Sequence, residues 1–190
     1  MCSNSSIDSE ISPHSERFSE LLIVPSVMLS ILASSFCWIF AWLACLHGAR
    51  CVLWWHKAIL KVPLRWSLHV AYWALSVGLI LVALSYFSPI ILFKDALHLI
   101  TVGTIGVMII AMMVRVSHGH TGRALQAPAY ISLAFVLIVI AAIVRSLLPV
   151  YLGHHLAWQL SALLWVAGFS LFLFHCAPIL VNRRVDGRRG

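Results

Sequence analysis

The chain has 190 residues, of which 62% are hydrophobic and only 10% charged, and its formal net charge is +7. Soluble domains carry charge on about a quarter of their residues, so this composition excludes a water-soluble globular fold and points to a membrane protein. The positive excess calls for no nucleic acid, because basic loops flanking lipid-embedded helices produce the same balance.

Residues 1–20 are polar and carry four acids against one arginine, unlike the basic start of a secretory signal, and read as a mobile tail. Residues 21–182 form the membrane domain. Crossing a bilayer takes roughly 20 apolar residues, and such runs occur near 21–46, 66–87, 96–114, 128–148 and 156–180. Backbone groups in hydrocarbon must bond within their own segment, which excludes open sheets. The fold class is therefore all-α, a polytopic bundle of about five transmembrane helices. Residues 183–190 are a basic C-terminal tail.

After the first run, HGARCVLWWHKAILKVPLR (47–65) mixes Trp54 and Trp55 with basic residues. Tryptophan rings and basic tips favour the headgroup layer, so a short interfacial helix is expected there. The second run opens with RWSLHVAYW, where His69 and Tyr72 share a helix face. In the third run, Gly103, Thr104, Gly106 and Ala111 allow a neighbouring helix to approach closely, which predicts the most buried span. Met108 and Met112 stand one turn apart and suit either core packing or cuprous copper. RVSHGHTGR (115–123) follows, crowding two histidines, two glycines and two arginines together. On a helix His118 and His120 would diverge, so both could serve one metal only from a loop, which Gly119 and Gly122 make plausible. The fourth run contains SLAFVLIVIAAIV (132–144), with no charge, proline or glycine, and the fifth carries His175 within FLFHCAP.

Ten lysines and arginines fall on the loops after the odd-numbered runs and in the C-terminal tail, and three, Arg17, Lys94 and Arg145, on the alternate side. The positive-inside rule then places the N-terminus outside and the C-terminus in the cytoplasm. Cys2, Cys37, Cys45, Cys51 and Cys176 show no CxxC spacing, so no disulfide framework is expected.

The chemistry-bearing side chains divide into two sets. His98 and Arg115 are roughly 25 Å apart along one helix at about 1.5 Å per residue. Asp95, His98, His154 and His155, with Arg145, form the outer set; His69, His118, His120 and His175, with Arg115 and Arg123, form the inner one. Neutral imidazole ligates haem iron, copper or zinc, and guanidinium grips propionates or other anions. Each histidine can equally be a satisfied core residue or an interfacial ring. No Gly-rich phosphate loop, paired catalytic carboxylates or nucleophile triad is visible, which argues against a hydrolase.

ALHLITVGTIGVMIIAMMVRVSHGHTGRAL resembles the signature region of the NnrS family, bacterial inner-membrane proteins linked to nitric oxide stress. PLRWSLHVAYWALSVGLILVAL is similar to that family's upstream histidine-bearing span, and PILVNRRVDGRRG to its C-terminus. The resemblance covers about residues 63–190. It implies an inner-membrane protein that binds haem b, with copper as a second metal, and contributes to nitric oxide tolerance; turnover of substrate is left open. The positions it implicates are His69, His98, Arg115, Gly119, His120, Thr121, Gly122, Arg123, Asp186 and Gly187. Of these His98, His120 and His69 are the expected metal ligands, and Arg115 and Arg123 the expected propionate or loop contacts. His118 stands where the family carries an aliphatic residue. Family members are about twice this long, which suggests a homo-oligomer or a partner supplying the N-terminal half. A cofactor-free subunit or inactive remnant, with GHTGR merely capping the third span, is the alternative.

Overall fold

The structure is a computed structural model that describes residues 35–125, 127–182 and 185. All regular structure among them is helical. Five helices are long and apolar enough to cross a membrane. They are α1 (Ser35–Leu53), α2 (Pro63–Ser85), α3 (Phe93–His120), α4 (Ala129–Leu147) and, after the single turn α5 (Pro149–Leu152), α6 (His154–Val181). The expected tail 1–20, the first part of the expected first run and all of the expected tail 183–190 except Val185 lie outside the described residues. The interfacial loop is shorter than expected: α1 runs on to Leu53, and only a 3-10 turn, Lys57–Ile59, precedes α2.

Helix ends follow local chemistry. Pro63 occupies the first turn of α2, where its missing N–H costs nothing. Asp95 sits in the first turn of α3, facing the positive end of the helix dipole. Between Leu99 and Gly106 the backbone of α3 widens to π-helical, then returns to α-helix through His120. The HGH stretch is thus helical and not a loop. What stops α3 is Gly122, whose φ of +69° few side-chain-bearing residues adopt. Arg123 N–H donates to the His118 carbonyl at 3.0 Å and Gly122 N–H to that of Gly119 at 3.4 Å, the paired bonds of a Schellman cap. Thr121 Oγ1 adds a 2.7 Å bond to the Ser117 carbonyl, and Val185 N–H returns from the chain's far end to the Thr121 carbonyl.

Short connections make successive helices antiparallel, and the five spans leave two ends. One carries Arg50, Arg65, Arg115 and Arg123 and is called the basic end; the other carries Asp95. The α2–α3 and α4–α6 pairs make the most extensive contacts. Phe135, Ile131 and Ile138 of α4 are fully buried, with Trp66 of α2 edge-on to Phe135. Close approach depends on small residues. A Cβ on Gly168 of α6 would meet Ile138 Cγ1 at 2.8 Å and the Ala134 carbonyl at 3.1 Å. Ser161 Oγ donates across the same seam to the Ala141 carbonyl at 2.8 Å. The third span is not singled out by burial: α2, α3 and α4 are enclosed alike, and α1 least of all.

Candidate functional site

Along α3 the buried residues Val107, Ile110, Ala111, Val114, Ser117 and His118 recur three and four apart, the spacing of one helix face. Carried to its end, that face places His118 inward, 5% exposed, while His120 and Arg115 are exposed. Opposite His118, α6 presents buried His175. The Nε2 atoms of the two rings are 2.9 Å apart. His118 Nδ1 is 2.8 Å from the Ala124 carbonyl, and His175 Nδ1 is 2.7 Å from the Tyr130 hydroxyl.

A carbonyl only accepts, so His118 must carry its proton on Nδ1, leaving Nε2 a lone pair. With both rings neutral, the remaining directions follow. Tyr130 donates to His175 Nδ1, His175 Nε2–H donates to His118 Nε2, and His118 Nδ1–H donates to Ala124. Four polar groups from α3, its cap, α4 and α6 are satisfied by one oriented chain. It borders an open cleft of about 500 Å³ lined by Arg123, Tyr130, Phe174, His175, Ile179 and Asn182. Arg123 Nε is buried without a hydrogen-bond partner.

At the other end, His98 Nδ1–H donates to the Lys94 carbonyl, and its Nε2 accepts from Arg145 Nη2 at 3.2 Å. The Arg145 guanidinium lies 4.3 Å from the Trp158 ring centroid, and Lys94 Nζ reaches the same ring at 4.9 Å. Asp95, 4% exposed, has Oδ2 at 3.5 Å from His154 Nε2. Asp95 Oδ1, Arg145 Nη1 and Ser146 Oγ are buried without partners. Beside the His98–Arg145 contact, an apolar groove of about 530 Å³ runs past Val102, Trp158, Ser161, Trp165 and Val166.

His69 lies at the basic end on α2. Its Nε2 accepts from Trp73 Nε1 at 3.2 Å, Trp55 lies over it at 5.2 Å, and Arg50, Arg65, Trp54 and Tyr72 line a cleft of about 290 Å³ around it. The expected ligands are therefore not gathered: His98 stands at one end of the bundle, and His69 and His120 at the other. Among the described residues no three His, Cys, Asp or Glu side chains are grouped to hold a metal ion. Met108 packs against the core, whereas Met112 and Met113 are exposed. The sequence puts His118 and His175 in the same inner set but does not pair them, because Gly119 and Gly122 make a loop plausible at HGH. Continuing the buried stripe of α3 by one turn would have found the pair's first member.

Five helices long and apolar enough to cross a membrane define a polytopic membrane protein. A family model described as NnrS protein matches residues 3–184, and the chain belongs to the NnrS family. That match takes in the first span as well as the segments from residue 63 onward. No curated relative and no solved structure matched the chain.

Proposed function

We propose that this protein is a bacterial inner-membrane NnrS protein that binds haem b and contributes to nitric oxide tolerance, with its basic end in the cytoplasm. The match across residues 3–184 is the observation that carries the reading. The chemistry of His98 supports it. A histidine that ligates a metal almost always donates its other ring N–H to a carbonyl or carboxylate, and His98 has that anchor in the Lys94 carbonyl. Its Nε2 carries the lone pair that would coordinate, which here accepts a hydrogen bond from Arg145. Those residues would hold a haem through one imidazole nitrogen, with a guanidinium beside it to pair with a carboxylate, and the groove adjoining it, past Trp158 and Trp165, is apolar. They do not fit a bis-histidine haem made from His98 with His69 or His120, which the length of the bundle separates. Arg115 and Arg123 share the end of His69 and His120, so Arg145 takes the propionate role at His98. When bound, a haem with one protein ligand supplies an open iron position for a diatomic ligand.

The test is spectroscopic. Detergent-purified protein reconstituted with haemin is expected to show a Soret band with a five-coordinate, high-spin ferric spectrum. His98→Ala should abolish it, while His69→Ala and His120→Ala leave it in place. Colourless wild-type protein overturns haem binding; a band surviving His98→Ala overturns the ligand.

A further inference from the structure

Among the described residues the only carboxylate is Asp95, so the cations of the basic end have no described acid beside them. Two of those cations, Arg50 and Arg65, line the cleft of about 290 Å³ between α1 and α2, together with His69. Part of the wall they share is apolar, made by Ile59, Leu68 and the buried Cys51. We propose that this cleft binds the phosphodiester headgroup of an anionic phospholipid, held by both guanidiniums and by His69, with the acyl chains left in the bilayer.

Each donor is set by its own neighbours. The Arg50 guanidinium lies 4.2 Å from the Trp54 ring centroid and 5.6 Å from that of Tyr72, and a guanidinium resting on aromatic rings keeps its N–H donors for an anion. Arg65 stands in the first turn of α2, which holds no acid, so its charge adds to the positive end of the helix dipole. An anion seated in the cleft offsets both. His69 Nε2 accepts from Trp73 Nε1 at 3.2 Å, which puts the proton of the neutral ring on Nδ1 and makes that N–H a third donor. The two non-bridging oxygens of a phosphodiester accept several such bonds, and guanidinium pairs with phosphate as it does with carboxylate.

The lining selects lipid over free phosphate. Inorganic phosphate would meet the same donors and leave the apolar wall bare, whereas the glycerol backbone of a lipid covers it. Trp54 and Trp55 are 54% and 50% exposed, and tryptophan settles at headgroup depth, where basic pockets between membrane helices take anionic headgroups. A zwitterionic lipid carries the same phosphodiester but adds a cation, which the two guanidiniums repel. His98 lies at the other end of the bundle, so the headgroup site does not rest on the haem reading.

The experiment uses delipidated, haem-free, full-length protein in detergent, titrated with short-chain phosphatidylglycerol or phosphatidylcholine and followed by native mass spectrometry. The wild type is expected to retain one phosphatidylglycerol, with an affinity about 10-fold above that for phosphatidylcholine. Arg50→Gln and Arg65→Gln should each lower that affinity by about 10-fold, as loss of a hydrogen bond between charged groups does. Arg115→Gln removes the same charge from an exposed position of the same end that does not line the cleft, and should stay within about twofold of wild type because exposed charges at a distance are screened. The same affinity in all four proteins, or an equal fall in the three variants, overturns the cleft, as does equal binding of the two lipids. Excess inorganic phosphate should leave the lipid in place; its displacement overturns lipid as the ligand. Should either cleft variant lose native circular dichroism, Arg50→Lys decides, because it keeps the charge without the paired donors, and an affinity equal to wild type overturns the site.

Discussion

His118 and His120 are two positions apart in one motif, yet they have opposite surroundings. The sequence shows that they would diverge on a helix; it does not show that α3 continues far enough for this to matter, because Gly119 between them resembles a breaker. Gly119 meets no neighbour within 4 Å of a Cβ and is tolerated as an ordinary helical residue, whereas Gly122 is the terminator. Nor could sequence alone have found His175 as the partner, 57 positions away, since that pairing depends on how α6 rotates against α3. The buried ring is locked and the exposed one is free, which leads to a residue-scale expectation. In imidazole 15N spectra of neutral, metal-free protein, His118 should appear as the pure Nδ1–H tautomer, because the only acceptor at that nitrogen is a carbonyl. His120 should show the tautomer average of a solvated ring. An Nε2–H signal for His118 would reverse the direction of the hydrogen-bond chain.

At the scale of elements, apolar length alone made the five spans legible, but their ends and internal irregularities were not. The π-helical stretch Leu99–Gly106 has no signature in hydropathy; it coincides with the small residues that admit close neighbours, Gly103 lying 3.2 Å, by its virtual Cβ, from both Ala142 and Ala74. In lipid the apolar surface of a helix gains little by leaving its solvent, so association rests on close packing and on bonds such as Ser161 to Ala141. Gly168 is the most sensitive point of the α4–α6 seam, because one of the atoms its Cβ would crowd is the Ala134 carbonyl, which cannot move without its helix. Gly168→Leu is expected to cost on the order of 1–3 kcal/mol, as overpacking does, and to lower the thermal midpoint in detergent; Leu163→Ala, at an exposed position of the same helix, should change it little. Equal midpoints for the two variants would show that the seam does not hold the bundle together. A second element-scale expectation concerns the cap. Gly122→Ala places a side chain at φ +69°, a cost of about 1–2 kcal/mol, and should disturb the Ala124 carbonyl two residues on, broadening the His118 tautomer signal before any loss of helix content.

For the whole molecule, the asymmetry of charge and the asymmetry of function are the same arrangement. Arg50, Lys57, Lys61, Arg65, Arg115 and Arg123 gather at one end. At the other, Lys94 and Arg145 are both engaged over Trp158, and Arg145 is further tied to His98. Of the two described cations at the Asp95 end, Arg145 is half-buried and Lys94 exposed, whereas Arg50, Lys57, Lys61, Arg65 and Arg115 are all exposed at the basic end, where a cation facing anionic headgroups is worth about 1 kcal/mol. The orientation proposed above, with the basic end in the cytoplasm, has a direct test. In a background with the native cysteines replaced by alanine, Leu152→Cys should react with a membrane-impermeant maleimide added to intact spheroplasts. His56→Cys should react only after the membrane is opened. The reverse pattern would invert the molecule, placing the His118–His175 cleft outside and His98 with Arg145 on the cytoplasmic side. The labelling experiment therefore fixes which compartment would supply the haem proposed at His98.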